Sequence, residues 1–419
     1  MCKQLLLLFL FAFGSLEAQN TWQKKASFGG GDRGNACGFA IGNTGYILSG
    51  TDTGLFFTDM WSWNADSDSW KQVASYPGGN RVGLNSVVCN GSAYVIAGGK
   101  PSNCFGKVGG GVCGLGFFKD IWMYNPEARL WSYIDSSFPG KSRAYAVAVT
   151  DPVHEVIYFG TGDDNGTSYL SDWWAFNTKT RTWKIRTNFP GGPRDNAVGF
   201  YLNGKIYVGT GNNNDSVNNA SNDFWEYTPS TNRWKRIADI PGIPLRCASA
   251  FTIGNYGYVC LGIGDTSYTS AGWRYDPSTN SWLKIADYPL GAIANAVAFT
   301  IGTNAYIGTG SNNSYYFRDL WAYTADDMLG VTIPTPAIAV NIYPNPSKTT
   351  ASFKFSGIPA LPAQLTIVDL LGNIVSSANL TQASGQFSLN VSELNSGIYF
   401  YRIFSGENQL KSGKFLISR

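Results

Sequence analysis

The chain has 419 residues and one histidine, His154, in "TDPVHEV". A single histidine in a turn-like stretch is a solvated side chain. It leaves no histidine-rich metal cluster and no nucleophile–His–Asp set. Between Thr21 and Thr324 the only glutamates are Glu127, Glu155 and Glu226, in two turns and a strand. Glycoside hydrolysis needs two facing carboxyl groups. Asp163, Asp164, Asp195, Asp215 and Asp265 lie in loops, and the sequence alone pairs none of them. No catalytic residue, metal ligand or cofactor is therefore assigned. The side chains best suited to holding a ligand are five arginines, Arg33, Arg81, Arg143, Arg194 and Arg246, because a guanidinium donates two parallel hydrogen bonds to a carboxylate, sulfate or phosphate.

These arginines recur because the chain repeats. "DMWSWNADSDSW", "DIWMYNPEARLW", "DWWAFNTKTRTW", "DFWEYTPSTNRW" and "AGWRYDPSTNSW" are copies of one unit. The first tryptophan of each unit gives the series Trp61, Trp122, Trp174, Trp225, Trp273 and Trp321. The second gives Trp22, Trp70, Trp131, Trp183, Trp234 and Trp282. A third anchor is a tyrosine four residues before a glycine, running from Tyr46 and Gly50 to Tyr306 and Gly310. Each unit reads as four short strands, A to D. The aromatics of strand C alternate, so both fall on one face of a sheet. A sheet with an aromatic face must be covered, and a ring of such sheets covers every face in turn. The expected fold is an all-β, six-bladed propeller over residues 19–324, with all twelve of these tryptophans as structural mortar between blades. The first unit lacks a partner for Trp22 and the last lacks a second tryptophan after Trp321. "NTWQKKASF" should therefore be strand D of the last blade.

The spacing resembles kelch repeats, with a propeller similar to the central domain of galactose oxidase. The likeness covers roughly Thr21 to Thr324. It departs in the glycine doublet, intact only at Gly98-Gly99, and at Ala271, where the other blades carry Asp59, Asp120, Asp172, Asp223 and Asp319. The copper site of galactose oxidase, which uses two histidines, is excluded. The resemblance implies that arginines at the start of strand A line the mouth of the central channel and meet ligands; the alternative is that each pairs with an aspartate or carbonyl of a neighbouring blade. Blade six has Ile293 there. Topology puts these positions on the same rim as the long, variable B–C loops.

"MCKQLLLLFLFAFGSLEAQN" reads as a secretory signal peptide over residues 1–18, because its apolar run is too short to span a bilayer. No later stretch is apolar enough to be transmembrane. Export permits disulfides, and Cys104 and Cys113, bracketing one loop, are the best pair. Cys37, Cys89, Cys247 and Cys260 read as buried thiols. The formal net charge of +3 with 14% charged residues gives no ground for nucleic-acid binding.

After a linker at 325–340 the pattern changes. Residues 341–419 alternate in strands and glycine turns, as in a small immunoglobulin-like β-sandwich. The tail resembles the type A C-terminal sorting domain of type IX secretion, in Tyr343, Pro344, Asn345, Pro346, Gly372, Gly397, Tyr399 and Lys414. That implies the secretion machinery as a partner, passage across the outer membrane of a Gram-negative bacterium, and release or surface attachment. Asp215-Ser216-Val217 resembles an O-glycosylation sequon of such bacteria. Two function classes follow: a secreted or surface binding protein for a polar or acidic glycan, peptide or protein partner, and a carbohydrate-active enzyme such as a kelch-type sialic acid epimerase. The shortage of glutamate and histidine favours binding.

Overall fold

A computed structural model describes residues 21–100, 116–134, 138–164, 168–213, 219–325, 339–356, 358, 361–370, 372–405 and 408–418. The signal segment, Cys104, Cys113, the Asp215–Val217 sequon and most of the linker lie outside them. The chain divides into two compact units, Met1–Leu329 and Gly330–Arg419. Among the described residues every regular element is a strand, so no helix there is long and apolar enough to cross a membrane.

The first unit contains six four-stranded antiparallel sheets. Their innermost strands are Cys37–Ile41, Asn85–Cys89, Val147–Asp151, Val198–Leu202, Ser249–Ile253 and Val297–Ile301, and each touches the next around a closed cycle. The ring is closed by Thr21–Lys25, which pairs with Leu320–Thr324 so that Trp22 faces Tyr323.

Six apolar cores fill the spaces between consecutive sheets, each drawing residues from two blades. Trp63 of blade one, fully buried, packs with Tyr306 and Leu320 of blade six. Tyr124 of blade two packs with Tyr46 of blade one. The second tryptophans bind the blades at their outer edge. Trp22, Trp70, Trp131, Trp234 and Trp282 each donate Nε1 to a backbone carbonyl of the preceding blade, at 2.8–3.2 Å. This explains why tryptophan recurs there. It buries a large ring against the neighbouring blade and still places its one donor.

The glycine of the Tyr–Gly anchor has a stated geometry. Gly162 and Gly211 both have φ of +98°. A Cβ on Gly211 would lie 2.7 Å from the carbonyl oxygen of Asp195, so only glycine lets the end of strand B pass this close to the start of strand A.

The second unit has a three-stranded sheet (Ala339–Tyr343, Thr350–Ser356, Gly385–Asn390) and a four-stranded one (Ile374–Leu380, Ala363–Val368, Gly397–Ser405, Asn408–Ile417). Phe353, Phe355 and Leu389 of the first share one core with Leu365, Ile367, Tyr401 and Phe415 of the second.

Candidate functional site

Four of the five arginines follow the alternative of pairing with an aspartate and a carbonyl, within their own blade rather than a neighbouring one. Arg33, Arg81, Arg143 and Arg194 are 0–2% exposed. Each makes a two-pronged bond to the aspartate of its own blade: Arg33 to Asp59 at 2.6 and 3.1 Å, Arg81 to Asp120 at 2.5 and 2.8 Å, Arg143 to Asp172 at 2.5 and 2.7 Å, and Arg194 to Asp223 at 2.6 and 3.1 Å. Each also donates to a carbonyl at the end of strand B. A ring face covers the guanidinium, as Phe118 covers Arg81 at 3.6 Å. The same aspartates accept Nε1 of Trp61, Trp122, Trp174 and Trp225 at 2.7–2.9 Å. Blade after blade, one Arg–Asp–Trp unit ties the start of strand A to the start of strand C. These charges are paired inside the wall.

Arg246 is a correction of register. The Gly162 amide donates to the Arg194 carbonyl of the next blade, and the Gly310 amide to that of Arg33; in blade five the acceptor for Gly211 is Leu245. Leu245 therefore holds the arginine position, 2% exposed, and its lost partner is Ala271. Both halves of the ion pair are replaced together. In blade six Ile293 is at that position and Asp319 pairs instead with Lys24, at 2.7 Å.

Arg246 stands one residue later, where each blade has a small three-strand contact on the rim. The first two members of that contact are Gly34 and Thr51, Val82 and Gly99, Ala144 and Asp163, Asp195 and Asn212, Arg246 and Ile263, and Ala294 and Ser311. Blades one, two and six have only small or apolar residues and hydroxyls there. Ionisable and amide groups are confined to blades three, four and five. A side chain at the first position points to the preceding blade: a Cβ on Gly34 would lie 3.1 Å from Ser311 Oγ and 3.4 Å from the Tyr316 ring. By the same register Asp195 points toward Asp163 and Tyr169.

Asp195 is 6% exposed. Asn196 donates Nδ2 to its Oδ2 at 2.9 Å, while Oδ1 is buried without a well-formed hydrogen bond. Asn212, which also approaches Asp195, donates to Tyr169 Oη at 2.7 Å. Burial raises the Asp195 carboxyl to about 7; the Asp163 charge adds to the rise, and Asn196, Arg246 and Asn212 oppose it. Arg246 is half-buried, with a buried Nε that lacks a partner. Burial, with Asp195 and Asp163, raises Tyr169 to about 12, and burial raises Tyr268 beside Arg246.

Beneath this cluster the channel narrows to a ring of six residues with φ between +51° and +63°: Asn35, Gly83, Tyr145, Asn196, Cys247 and Asn295. Five backbone hydrogen bonds of 2.9–3.3 Å link them blade to blade. The space they enclose is about 160 Å³, below the roughly 300–1,000 Å³ of ordinary ligand pockets. A wider chamber of about 350 Å³ on the far side is walled mainly by Gly, Ala, Val, Ser and Thr. Among the described residues no group of three or more His, Cys, Asp or Glu could hold a metal ion. Cys37, Cys89, Cys247 and Cys260 are free thiols. His154 sits on the other rim, its Nδ1 2.8 Å from Asp151.

Residues 107–289 match the family described as the KLHDC2/KLHL20/DRC7 kelch-repeats domain, and residues 341–418 the secretion system C-terminal sorting domain. The chain thus carries a kelch-repeat domain and a sorting tail, and is exported to the outer surface or the extracellular space. A solved structure titled "Structure of YjhT" aligns over 72% of this chain and 98% of its own, with TM-score 0.60 and 16% identity, a likeness of fold. N-acetylneuraminate epimerase of Shigella sonnei (strain Ss046) is 30% identical over 112 residues, 26% of this chain and 30% of that protein. That of Escherichia coli (strain K12) is 34% identical over 86 residues, 20% of this chain and 23% of that protein. The chain thus spans less than a third of the length of these curated relatives.

Proposed function

We propose that this exported kelch-repeat protein binds a polar, hydroxyl-rich glycan on the rim of blades three to five. One observation carries the reading. Positions that are small or apolar in half of the blades hold Asp163, Asp195, Asn212 and Arg246 on three adjacent blades. Carboxylates accept from sugar hydroxyls, Asn212 and Arg246 donate to hydroxyl or carboxylate oxygens, and Tyr169 supplies a ring face. Arg246 is the arginine here that is not held by an aspartate of its own blade, so it replaces the other four as the site for an acidic group. The test is a glycan array on the mature protein followed by calorimetric titration of the best hit. Arg246→Ala and Asn212→Ala should each weaken binding by about tenfold or more, about 1.4 kcal/mol. A glycan that binds both variants as it binds the unmodified protein would place recognition elsewhere.

A second reading rests on Asp195. A carboxyl with a pKa of about 7 next to another carboxylate can give and take a proton at neutral pH. The relatives named N-acetylneuraminate epimerase point to sugar chemistry of that kind. Following a bound sugar by NMR for a change of configuration, absent in Asp195→Asn, separates catalysis from binding.

A further inference from the structure

The four-stranded sheet of the tail has an outward face that its own core does not use. Tyr399, Tyr401, Ile403 and Phe415 point into the core, so the alternate residues point out. Ile374 is 68% exposed, Leu416 45%, Ile398 40% and Phe400 36%. Ile398 is the cross-strand partner of Leu416, and Phe400 that of Lys414, so these side chains form one patch. Ile374 and Phe400 lie on either side of the strand Ala363–Val368, each paired with Val368. Arg402, two residues beyond Phe400, continues the same face and is exposed, as is Lys414.

Charge on this sheet is one-sided. Its four strands contain Arg402, Lys411 and Lys414 and no aspartate or glutamate. Scattered exposed apolar residues are ordinary on a protein surface. A contiguous apolar strip flanked by charges of one sign is the composition of a contact face.

We propose that this face, with Phe400 and Leu416 at its centre and Arg402 and Lys414 at its edge, is the surface by which the export machinery holds the tail, and that the partner presents an apolar strip bordered by carboxylates. The charge complementarity argues for that chemistry, and the match of residues 341–418 to a secretion sorting domain argues for that partner. The opposite sheet makes a suitable control. Lys354, on Thr350–Ser356, is exposed and carries the same charge on the other side of the sandwich.

The experiment expresses the full chain in a bacterium with this secretion system and compares the amount outside the cell with the amount held in the periplasm. The variants are Arg402→Glu with Lys414→Glu, Phe400→Ser, and Lys354→Glu. A melting curve on each purified full chain verifies folding. The double charge reversal changes only exposed side chains, so it keeps the test valid if Phe400→Ser unfolds. Export should fall about tenfold or more in the double reversal, with folded precursor accumulating, while Lys354→Glu is exported normally. Normal export of the double reversal would overturn the proposal, as would an equal defect in Lys354→Glu, which would reflect net charge alone. Anionic membrane is the competing occupant. Binding of the unmodified chain to phosphatidylglycerol vesicles, lost in the double reversal, would identify the face as a membrane contact and overturn the protein-partner reading.

Discussion

The Arg–Asp pairs are a stability device whose removal blade five has already carried out. Arg194 is 2% exposed in its side chain and Asp223 17%. Removing one partner of a buried pair leaves an uncompensated charge and costs about 3–5 kcal/mol, whereas replacing both by apolar groups is often neutral. Arg194→Leu also loses the contact with the Phe189 ring, 4.7 Å from the guanidinium carbon, worth about 0.5–2 kcal/mol. Asp223 would keep the Trp225 donor at 2.7 Å and some water, which places this variant near the lower end, at about 3–4 kcal/mol. Asp223→Ala leaves the guanidinium buried and should cost as much. The double variant recreates Leu245 and Ala271 and should lie within about 1.5 kcal/mol of the original, a coupling of several kcal/mol. Urea unfolding followed by tryptophan fluorescence reads this out. All 14 tryptophans lie between Trp22 and Trp321, so the signal comes from the propeller and not from the tail. Additive losses in the double variant would refute the claim that the pairs act as units.

Asp195 binds its proton more tightly folded than unfolded, with a carboxyl raised from 3.8 to about 7. Its contribution is fully present below pH ~4 and is lost as pH rises through ~7. Asp195→Asn should therefore gain roughly 2–4 kcal/mol relative to the original chain between those limits; parallel stability curves for the two proteins would dismiss this. Trp22 donates to the Ala286 carbonyl at 3.1 Å and packs on Tyr288 and Tyr323. Trp22→Ala should cost ~3 kcal/mol or more, and an unchanged melting temperature would show that the terminal strand does not hold the ring shut.

The sequence by itself determined the repeat, and through it the sheets. Tryptophans at a fixed interval, period-two aromatics and one glycine per unit have one physical solution, because each aromatic face needs the next blade to cover it. The closing strand followed from a Trp22 without a partner, which the pairing with Leu320–Thr324 supplies. The site was legible only in part. Arg246 stands one residue nearer to Gly262 than Arg33, Arg81 and Arg194 stand to Gly50, Gly98 and Gly211, and Ala271 breaks the aspartate series. Those two signals together mark Leu245 as the true equivalent. Position near the start of strand A grouped five arginines that the exact register divides into four and one. Burial and proximity belong to the tertiary structure. Asp163 and Asp195 come from different blades and different repeat positions, and their approach depends on how two sheets meet at the rim. The raised carboxyl of Asp195 exists only because that meeting takes it out of water beside a second charge, a condition no local pattern in the chain encodes.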